Sequence, residues 1–329
     1  MSRNIKAEIA RDYRDKFPEM PTLKLARIIY DKEFKVFPNL EAVRFTLRYI
    51  EGKTGKKRSS IVLNSPHYKD EPRPYNPYKL PDSDETEFEP YVLNHKRVAV
   101  FSDIHAPYHN IDAISIAIDY AKKEKVDAVL INGDLFDFHH LSRFLKDPRK
   151  KNFAEELSIG AEIIKVIQRE LKCKVYFKLG NHDERYQMYL WQKLGELTGV
   201  EDFEFNNLLS KRVSDVSIID EKRIIKLGDL NCVHGHEFGG SVFSPVNIAR
   251  GFYLRAKAST IGGHHHRTSE HTEQDINGRI ITTWSVGCLC ELHPAYLPIN
   301  NWNWGAAIVD IDDKDFHVRN LRIYKGRVL

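Results

Sequence analysis

The sequence lacks the long apolar runs of a membrane protein and the apolar segment of a secretory leader. No apolar stretch approaches the roughly 20 residues that span a bilayer. The first 17 residues, MSRNIKAEIARDYRDKF, are polar and mixed in charge. These features predict a cytoplasmic protein with no membrane partner.

Cysteine is scarce as well. The chain has four, and none has the C-x-x-C spacing of a zinc knuckle. All four lie in apolar, strand-like segments, which favours free thiols in a reducing compartment. The C-x-C pair of Cys288 and Cys290 could bind a metal, but no second pair accompanies it.

The charge is distributed unevenly along the 329 residues. Residues 1–60 hold 15 Lys and Arg against 8 Asp and Glu, whereas the remainder holds 35 against 38. This asymmetry suggests a basic module that meets a polyanion, attached to a nearly neutral body.

Residues 1–58 read as a basic module of three short helices, over 4–16, 22–34 and from Asn39 to Gly52, and they resemble a helix-turn-helix. A solvated basic face on a helical docking module is an equal alternative. Phe45 and Tyr49, opposite the apolar stripe of the third helix, could stack on bases or pack on a neighbouring element. Candidate nucleic-acid contacts are the basic residues Arg44, Arg48, Lys53, Lys56, Lys57 and Arg58.

Residues 59–95 contain six prolines among polar and tyrosine residues and predict a semi-extended linker. The body, residues 96–329, opens with a predicted β-α-β unit over 96–132, which implies parallel strands. A helix over 153–171 and a strand over 174–179 follow. Later segments read as short strands and two hairpins, one of which turns at Asn277-Gly278. The body is therefore predicted to be an α/β domain with mixed sheets.

Five polar motifs follow five of the predicted strands. Because ligand sites in open α/β sheets lie beyond the carboxyl ends of the strands, these motifs are expected to converge. Glycine stands before three of the polar residues, where sharp turns and close backbone approach are needed. The motifs are Asp103-Ile104-His105, Gly133-Asp134-Leu135-Phe136-Asp137, Gly180-Asn181-His182-Asp183, His234-Gly235-His236 and Gly263-His264-His265-His266.

Carboxylate, imidazole and amide oxygen, without thiolate, suit divalent ions such as manganese, iron or zinc. Two such ions acidify a water between them and neutralise charge on a phosphoryl group. Either histidine of the fourth motif could be a ligand, and His234 is preferred because it directly follows the strand. The predicted ligands are Asp103, His105, Asp134, Asn181, His234, His264 and His266.

The five motifs, in this order, resemble those of the calcineurin-like metallophosphoesterase superfamily. The resemblance covers residues 98 to about 310 and implies a four-layer α-β-β-α sandwich with two divalent ions. Manganese is expected first, with iron, zinc, nickel or magnesium as alternatives. By this resemblance Asp134 would bridge the ions, Asp103, His105 and His266 would hold one, and Asn181, His234 and His264 the other.

The same resemblance implies a general-acid role for His182, oriented by Asp137. The G-N-H-D and G-D-L-F-D elements are similar to those of the DNA-repair exonuclease branch, although the long capping and dimerisation regions of those nucleases have no counterpart here. Arg185 is a candidate phosphate clamp that could equally pair with a carboxylate. Trp302 and Trp304 could line a substrate groove or pack in an ordinary hairpin.

The resemblance specifies the reaction better than the substrate. The basic module favours a nuclease or nucleotide phosphodiesterase, with DNA preferred over RNA. A phosphatase for a small molecule or phosphoprotein is the alternative. A non-catalytic DNA-binding factor with a structural metal site is a third reading.

Overall fold

The N-terminal helices form a unit with its own core. The computed structural model describes residues 5–18, 20–54, 78–81, 88–143, 152–219, 222–239 and 246–329, and contacts divide the chain into two compact units, Met1–Glu85 and Thr86–Leu329. In the described part of the first unit, helices α1 (Ile5–Lys16), α2 (Thr22–Lys32) and α3 (Leu40–Ile50) enclose a buried apolar cluster. The three-helix module is therefore confirmed.

The ends of these helices follow local side-chain chemistry. Asn39 caps α3, because its Oδ1 accepts a hydrogen bond from Ala42 N at 2.8 Å. Pro21 precedes α2 at the cap position and no side chain caps this helix, while the hydroxyl of Thr22 contacts Glu51. Residues 33–39 connect α2 to α3, a longer link than the three- or four-residue turn of a helix-turn-helix. The helix-turn-helix assignment stays a prediction.

The strands of the second unit form two sheets within the described residues. One has the order β1-β6-β7-β8-β10-β9, and the other β13-β12-β11-β2-β3-β4-β5. Both mix parallel and antiparallel pairs. The strands are β1 (Tyr91–Val92), β2 (Arg97–Phe101), β3 (Ala128–Asn132), β4 (Lys174–Lys178), β5 (Val216–Ile219), β6 (Ile225–Leu227), β7 (Leu230–Val233), β8 (Thr260–Gly262), β9 (Ser269–Gln274), β10 (Ile280–Ser285), β11 (Trp304–Asp312), β12 (Asp315–Tyr324) and β13 (Arg327–Val328).

Side-chain alternation along β2 shows how the layers stack. Val98 and Val100 point into the apolar layer between the two sheets, where they join Leu230 and Ile261 of the other sheet. The alternating residues Ala99 and Phe101 point to the outer face and join a second apolar cluster with the helices. Successive residues of β2 therefore face opposite sides of the sheet and pack into different apolar cores, as the period of two in a strand requires.

Helices complete the outer layers. Four described helices accompany the seven-stranded sheet, and one packs on the six-stranded sheet, where Thr283 Oγ1 donates to Ala249 O at 2.7 Å. The predicted four-layer α-β-β-α sandwich is confirmed. No helix among the described residues is both long and apolar enough to cross a membrane. The helices are α4 (Ile111–Glu124), α5 (Phe153–Leu171), α6 (Arg185–Lys193), α7 (Phe205–Ser210) and α8 (Ile248–Ala256).

The predicted linker over 59–95 ends earlier than the sequence suggested. Tyr91–Val92 forms β1 and pairs in parallel with β6, and Leu93 is buried in the layer between the sheets. The sequence did not indicate this strand, because two residues are too few to show an alternating pattern. Residues 55–77 and 82–87, which include most of that linker, lie outside the described residues.

Candidate metal centre

Strand topology brings the five polar motifs together. β2, β3 and β4 are parallel neighbours, so the motifs that follow them leave the sheet at the same end. β7 and β8 run parallel in the other sheet and carry the two histidine motifs. A cross-layer hydrogen bond joins the two sets, because His264 N donates to Asp103 Oδ2 at 3.0 Å.

The first group of side chains contains Asp103, His105 and His266, all buried. His266 Nε2 lies 3.2 Å from Asp103 Oδ1 and 3.2 Å from His105 Nε2. His105 Nε2 also lies 3.7 Å from Asp134 Oδ2. Ligand atoms of Asp103, His105 and Asp134 all fall within 4.8 Å of one another, a spacing that could hold a metal ion.

The second group contains Asp134, His234 and His264, whose ligand atoms also fall within 4.8 Å of one another. His234 Nε2 lies 3.2 Å from Asp134 Oδ2, and the rings of His234 and His264 are 5.2 Å apart. Asp134 belongs to both groups. One carboxylate therefore stands between two clusters of metal-competent side chains.

Asn181 adds an amide oxygen beside these groups. Its Oδ1 is buried and has no hydrogen-bond partner among the described residues. The next residue, His182, donates its backbone N–H to Asp134 Oδ1 at 2.8 Å, which fixes this turn against the shared carboxylate. A buried acceptor without a donor is costly unless something else satisfies it, and a cation would do so. The donor set thus fits divalent ions.

The backbone at these positions is strained. Asp103, His105, Asp134, His264 and His266 all have φ between 50° and 67° although none is glycine. The left-handed conformation costs a non-glycine residue about 1 kcal/mol or more, and such residues cluster at functional sites. These residues follow the ends of β2, β3 and β8, where the left-handed turns bring several short side chains to one point.

Glycines allow the close approach that the sequence predicted. Gly133 has φ of 86°, and a Cβ there would overlap the His234 ring. A Cβ on Gly180 would overlap Asp134, the shared carboxylate. These two positions exclude any larger residue, because the space that a methyl group needs is already filled by candidate ligands.

Hydrogen bonds to groups that are not themselves candidate ligands orient the candidate ligands. His234 Nδ1 donates to Asn132 O at 2.8 Å, which leaves Nε2 directed at Asp134. Ser102 Oγ donates to Asp103 Oδ2 at 2.6 Å. Bonds of this kind set the tautomer and direction of metal ligands.

Electrostatics keep the carboxylates ionised. Burial opposes charge on Asp103, but the adjacent His266 holds its pKa well below the ordinary value. Burial alone would lower the pKa of His234, yet the Asp134 carboxylate raises it to about 10. Burial, helped by the charge of His234, lowers the pKa of His264 to about 3. The metal-free centre therefore balances buried carboxylates with protons on selected imidazoles.

His182 and Asp137 lie at the side of this centre. His182 Nδ1 is 3.0 Å from Asp137 Oδ1, so the imidazole N–H donates to the carboxylate. Burial disfavours charge on Asp137, but hydrogen bonds from His105 and His182 hold its pKa well below the ordinary value. Arg185 donates to Asp137 O at 2.6 Å and to His182 Nε2 at 3.0 Å. The sequence left Arg185 open between a phosphate and a carboxylate, and in the structure its guanidinium instead contacts a backbone carbonyl and an imidazole.

The buried carboxylate of Asp183 is a supporting residue that sequence reasoning did not single out. It accepts backbone hydrogen bonds from Asp134 and Gly180 at 2.8 Å and from Phe136 at 3.0 Å. These bonds tie the second motif to the third. Its position as the last residue of G-N-H-D was the available signal.

Glu237 and Lys178 form a second supporting pair that the sequence did not reveal. Glu237 accepts from the backbone N–H of His234 at 2.9 Å and of Gly235 at 2.6 Å. Lys178 Nζ, almost completely buried on β4, lies 2.9 Å from Glu237 Oε1. Burial would raise the pKa of Glu237, but Lys178 lowers it to about 2. This ion pair fixes the turn that carries His234.

The remaining histidines of these motifs face elsewhere. His236 Nε2 lies 3.1 Å from Glu184 Oε1, so His234 rather than His236 joins the centre. His265, between two candidate ligands in sequence, packs against Phe252 with ring centroids 5.8 Å apart.

The candidate nucleic-acid contacts lie on the first unit. Arg48 is exposed on α3. Arg44, on the same helix, forms an ion pair in which its Nη1 lies 3.2 Å from Glu41 Oε1. Phe45 and Tyr49 are 63% and 44% exposed, as expected for residues opposite the apolar stripe. Lys53 pairs with Glu51 at 2.8 Å, and Lys56, Lys57 and Arg58 lie outside the described residues.

Sequence comparison adds a family and relatives. The model of the family described as calcineurin-like phosphoesterase matches residues 96–275. The Gene 54 protein of Mycobacterium phage L5 is 30% identical over 245 residues, which cover 70% of this chain and 95% of the relative. The Gene 54 protein of Mycobacterium phage D29 is 28% identical over 246 residues, with the same coverage.

Structural comparison also finds matches among solved proteins. A dimetal phosphatase from Danio rerio matches at a TM-score of 0.37 and 12% identity, over 69% of this chain and 96% of its own.

Proposed function

The chain belongs to the calcineurin-like phosphoesterase family, and from this premise we propose that it cleaves phosphodiester bonds of nucleic acid, DNA above all, at two divalent metal ions. The observation that carries the proposal is the Asp134 carboxylate shared by two groups of buried ligands beside the His182–Asp137 pair. Asp103, His105 and His266 would hold one ion, and Asn181, His234 and His264 the other. Manganese is the first metal to test.

The bound ions would supply Lewis acidity and a nucleophilic hydroxide at neutral pH. The chain's own residues supply orientation and proton transfer. Asp137 holds the His182 ring through Nδ1, so Nε2 is the free position: once substrate has displaced Arg185 and the ring has taken a second proton from solvent, Nε2 would deliver that proton to the leaving oxygen. Protonating that oxygen prevents the departure of an alkoxide, which is the poorest leaving group in a phosphodiester.

Arg185 would bind the phosphoryl group. Its guanidinium contacts His182 Nε2 and is anchored by a hydrogen bond to Asp137 O. A planar guanidinium presents paired N–H donors that match phosphate oxygens. Substrate would replace the Arg185–His182 contact, so the same residue positions the phosphate and releases Nε2 for proton transfer.

The preference for nucleic acid rests on the first unit. Its surplus of basic residues, with exposed Arg48 beside exposed Phe45 and Tyr49, supports contact with phosphates and bases. Removing residues 1–58 should weaken binding to long DNA and reduce its salt dependence, while hydrolysis of a small aryl phosphodiester continues. Unchanged DNA cleavage by the truncated protein would contradict targeting by this module.

The deciding experiment compares manganese-dependent hydrolysis of bis(4-nitrophenyl) phosphate, 4-nitrophenyl phosphate, and labelled single- and double-stranded DNA and RNA. His182→Ala should lower turnover by about 100-fold or more with metal content unchanged. Asp134→Ala should lose both ions. The exposed His317 on β12 provides the control, because His317→Ala should change neither activity nor metal content.

Each outcome has a distinct meaning. Cleavage of a polymer by wild type and not by His182→Ala supports the nuclease. Turnover of the monoester alone would reject it in favour of a phosphatase. No turnover with any divalent metal would reject the enzyme and favour a DNA-binding factor.

A further inference from the structure

The loop of residues 291–303 lies beside the metal centre and is held in one conformation. The side chain of Asn300 donates to two carbonyl groups of the same loop, at 2.5 and 2.9 Å, and accepts from Trp302 N at 2.9 Å. Asn303 N donates to the carbonyl of His266, a candidate ligand, at 2.9 Å. The loop is therefore organised in advance of substrate binding.

Two aromatic rings of this loop extend from the centre towards solvent. The ring of Trp302 meets His266 at 4.1 Å between centroids and 62° between planes. Tyr296 meets Trp302 at 6.4 Å and 64°. Trp304 behaves differently, because its Nε1 donates to Cys290 O at 2.8 Å and its ring packs on the apolar core. The sequence grouped the two tryptophans, and only Trp302 borders the centre.

The same loop exposes apolar surface where the surroundings are polar. Tyr296 is 72% exposed, Leu297 42% and Ile299 91%. Exposed apolar side chains on a fixed loop next to a reactive centre mark a ligand-binding surface.

We propose that Tyr296 and Trp302 form a stacking platform for the nucleobase adjacent to the scissile phosphate, an inference that rests on the proposed phosphodiesterase function. A phosphate bound at the centre would present its organic group to the residues around it, and Trp302 is the ring of this loop that contacts the candidate ligand His266. A base could stack on the face of one of these rings while its edge meets the other, and both arrangements are favourable between aromatic groups. Any base has such a face, so the platform favours nucleotides without selecting a sequence.

The experiment measures binding, independently of turnover. Isothermal titration of manganese-loaded protein compares thymidine 5′-monophosphate with methyl phosphate, which carries the same phosphate without a base. Wild type should bind the nucleotide roughly tenfold or more tightly. Tyr296→Ala and Trp302→Leu should each bring that ratio close to one, with metal content measured in parallel because Trp302 touches His266.

Trp191 provides the matched control. It lies on α6, is 62% exposed and lines a cavity that contains no residue of the 291–303 loop. Trp191→Leu should therefore preserve the preference for the nucleotide. Equal affinity of wild type for the two ligands, or binding of neither, would overturn the platform. Loss of the preference in Trp191→Leu instead would place the base on α6 and overturn it as well.

A kinetic comparison separates this inference from the proposed function. Thymidine 5′-(4-nitrophenyl) phosphate and methyl 4-nitrophenyl phosphate share a leaving group and differ in the base. If wild type hydrolyses both and the variants leave the ratio of kcat/KM unchanged, the platform fails and the hydrolase stands. If wild type hydrolyses neither but still binds the nucleotide preferentially, the hydrolase fails and the platform stands.

Discussion

Substituting Lys178, the buried member of the pair that fixes the His234 turn, should destabilise the metal-free protein strongly. The exposed fractions of the Lys178 and Glu237 side chains are 1% and 12%. The pKa of Glu237 lies at about 2 instead of 4.5. Since one pKa unit corresponds to about 1.4 kcal/mol, the folded surroundings favour the Glu237 carboxylate by about 3 kcal/mol. Lys178→Met leaves that carboxylate buried without its cation, so the free energy of unfolding should fall by about 3 kcal/mol at pH 7.

The pH dependence has a definite sign. The folded-state pKa of Glu237 is below its unfolded value, so this stabilisation is present above about pH 4.5 and is lost as the pH falls towards 2. Urea unfolding of chelator-treated protein between pH 7 and pH 3.5 measures it. The difference between wild type and Lys178→Met should be full at pH 5 to 7 and should shrink below about pH 4.5.

Lys174, on the same strand, is the matched control. It pairs with Asp215 at 2.5 Å on the surface, so Lys174→Met should cost less than about 1 kcal/mol. Equal losses from the two substitutions would refute the reasoning. A loss in Lys178→Met that stays constant down to pH 3.5 would show that packing, and not the ion pair, provides the stability.

Three further predictions concern the centre and the apolar core beside it. Asp183→Asn places an amide N–H₂ against backbone donors, so it should lower the free energy of unfolding by about 2 kcal/mol and weaken metal binding; normal metal content and stability would contradict that bracing role. Gly160→Ala forces a Cβ into the Phe136 ring and should lower the free energy of unfolding by about 1–3 kcal/mol. Gly195→Ala, in open space, should be nearly neutral. Thermal unfolding compares the two variants. Because the pKa of His234 is raised to about 10, metal binding at pH 7.5 should release at least one proton, and the metal affinity should rise with pH. Titration calorimetry in two buffers of different ionisation enthalpy measures this release, and equal binding enthalpies in the two buffers would contradict it.

Local signals in the chain specify several elements completely. The predicted β-α-β unit contains its helix, Ile111–Glu124, and the helix predicted over 153–171 has those bounds in the structure, because Asn110 and Asn152 cap their first turns. The hairpins around residues 275–279 and 312–314 also follow from their turn residues, as predicted. Caps and turns act over a few residues, so their signals are contained in the sequence.

Short elements escaped prediction. β5 has four residues and α7 has six, too few for a period to emerge. The helix α8 follows Asn247, whose side chain caps it by accepting from Arg250 N at 3.1 Å. That cap was visible in the sequence, but the nine-residue helix beyond it carries only a weak apolar pattern.

The sequence by itself determined the chemistry of the centre. It places carboxylates, imidazoles and an amide after strands, in the order of the metallophosphoesterase motifs, and puts glycine before three of them. Only the tertiary structure decided which atoms meet. It directed His234 to Asp134 and His236 to Glu184 and paired Lys178 with Glu237. It also set Trp302 against His266, whereas Trp304 packs against the core. The physical reason is that donor type is a property of a residue, whereas direction depends on backbone turns and on partners from distant strands.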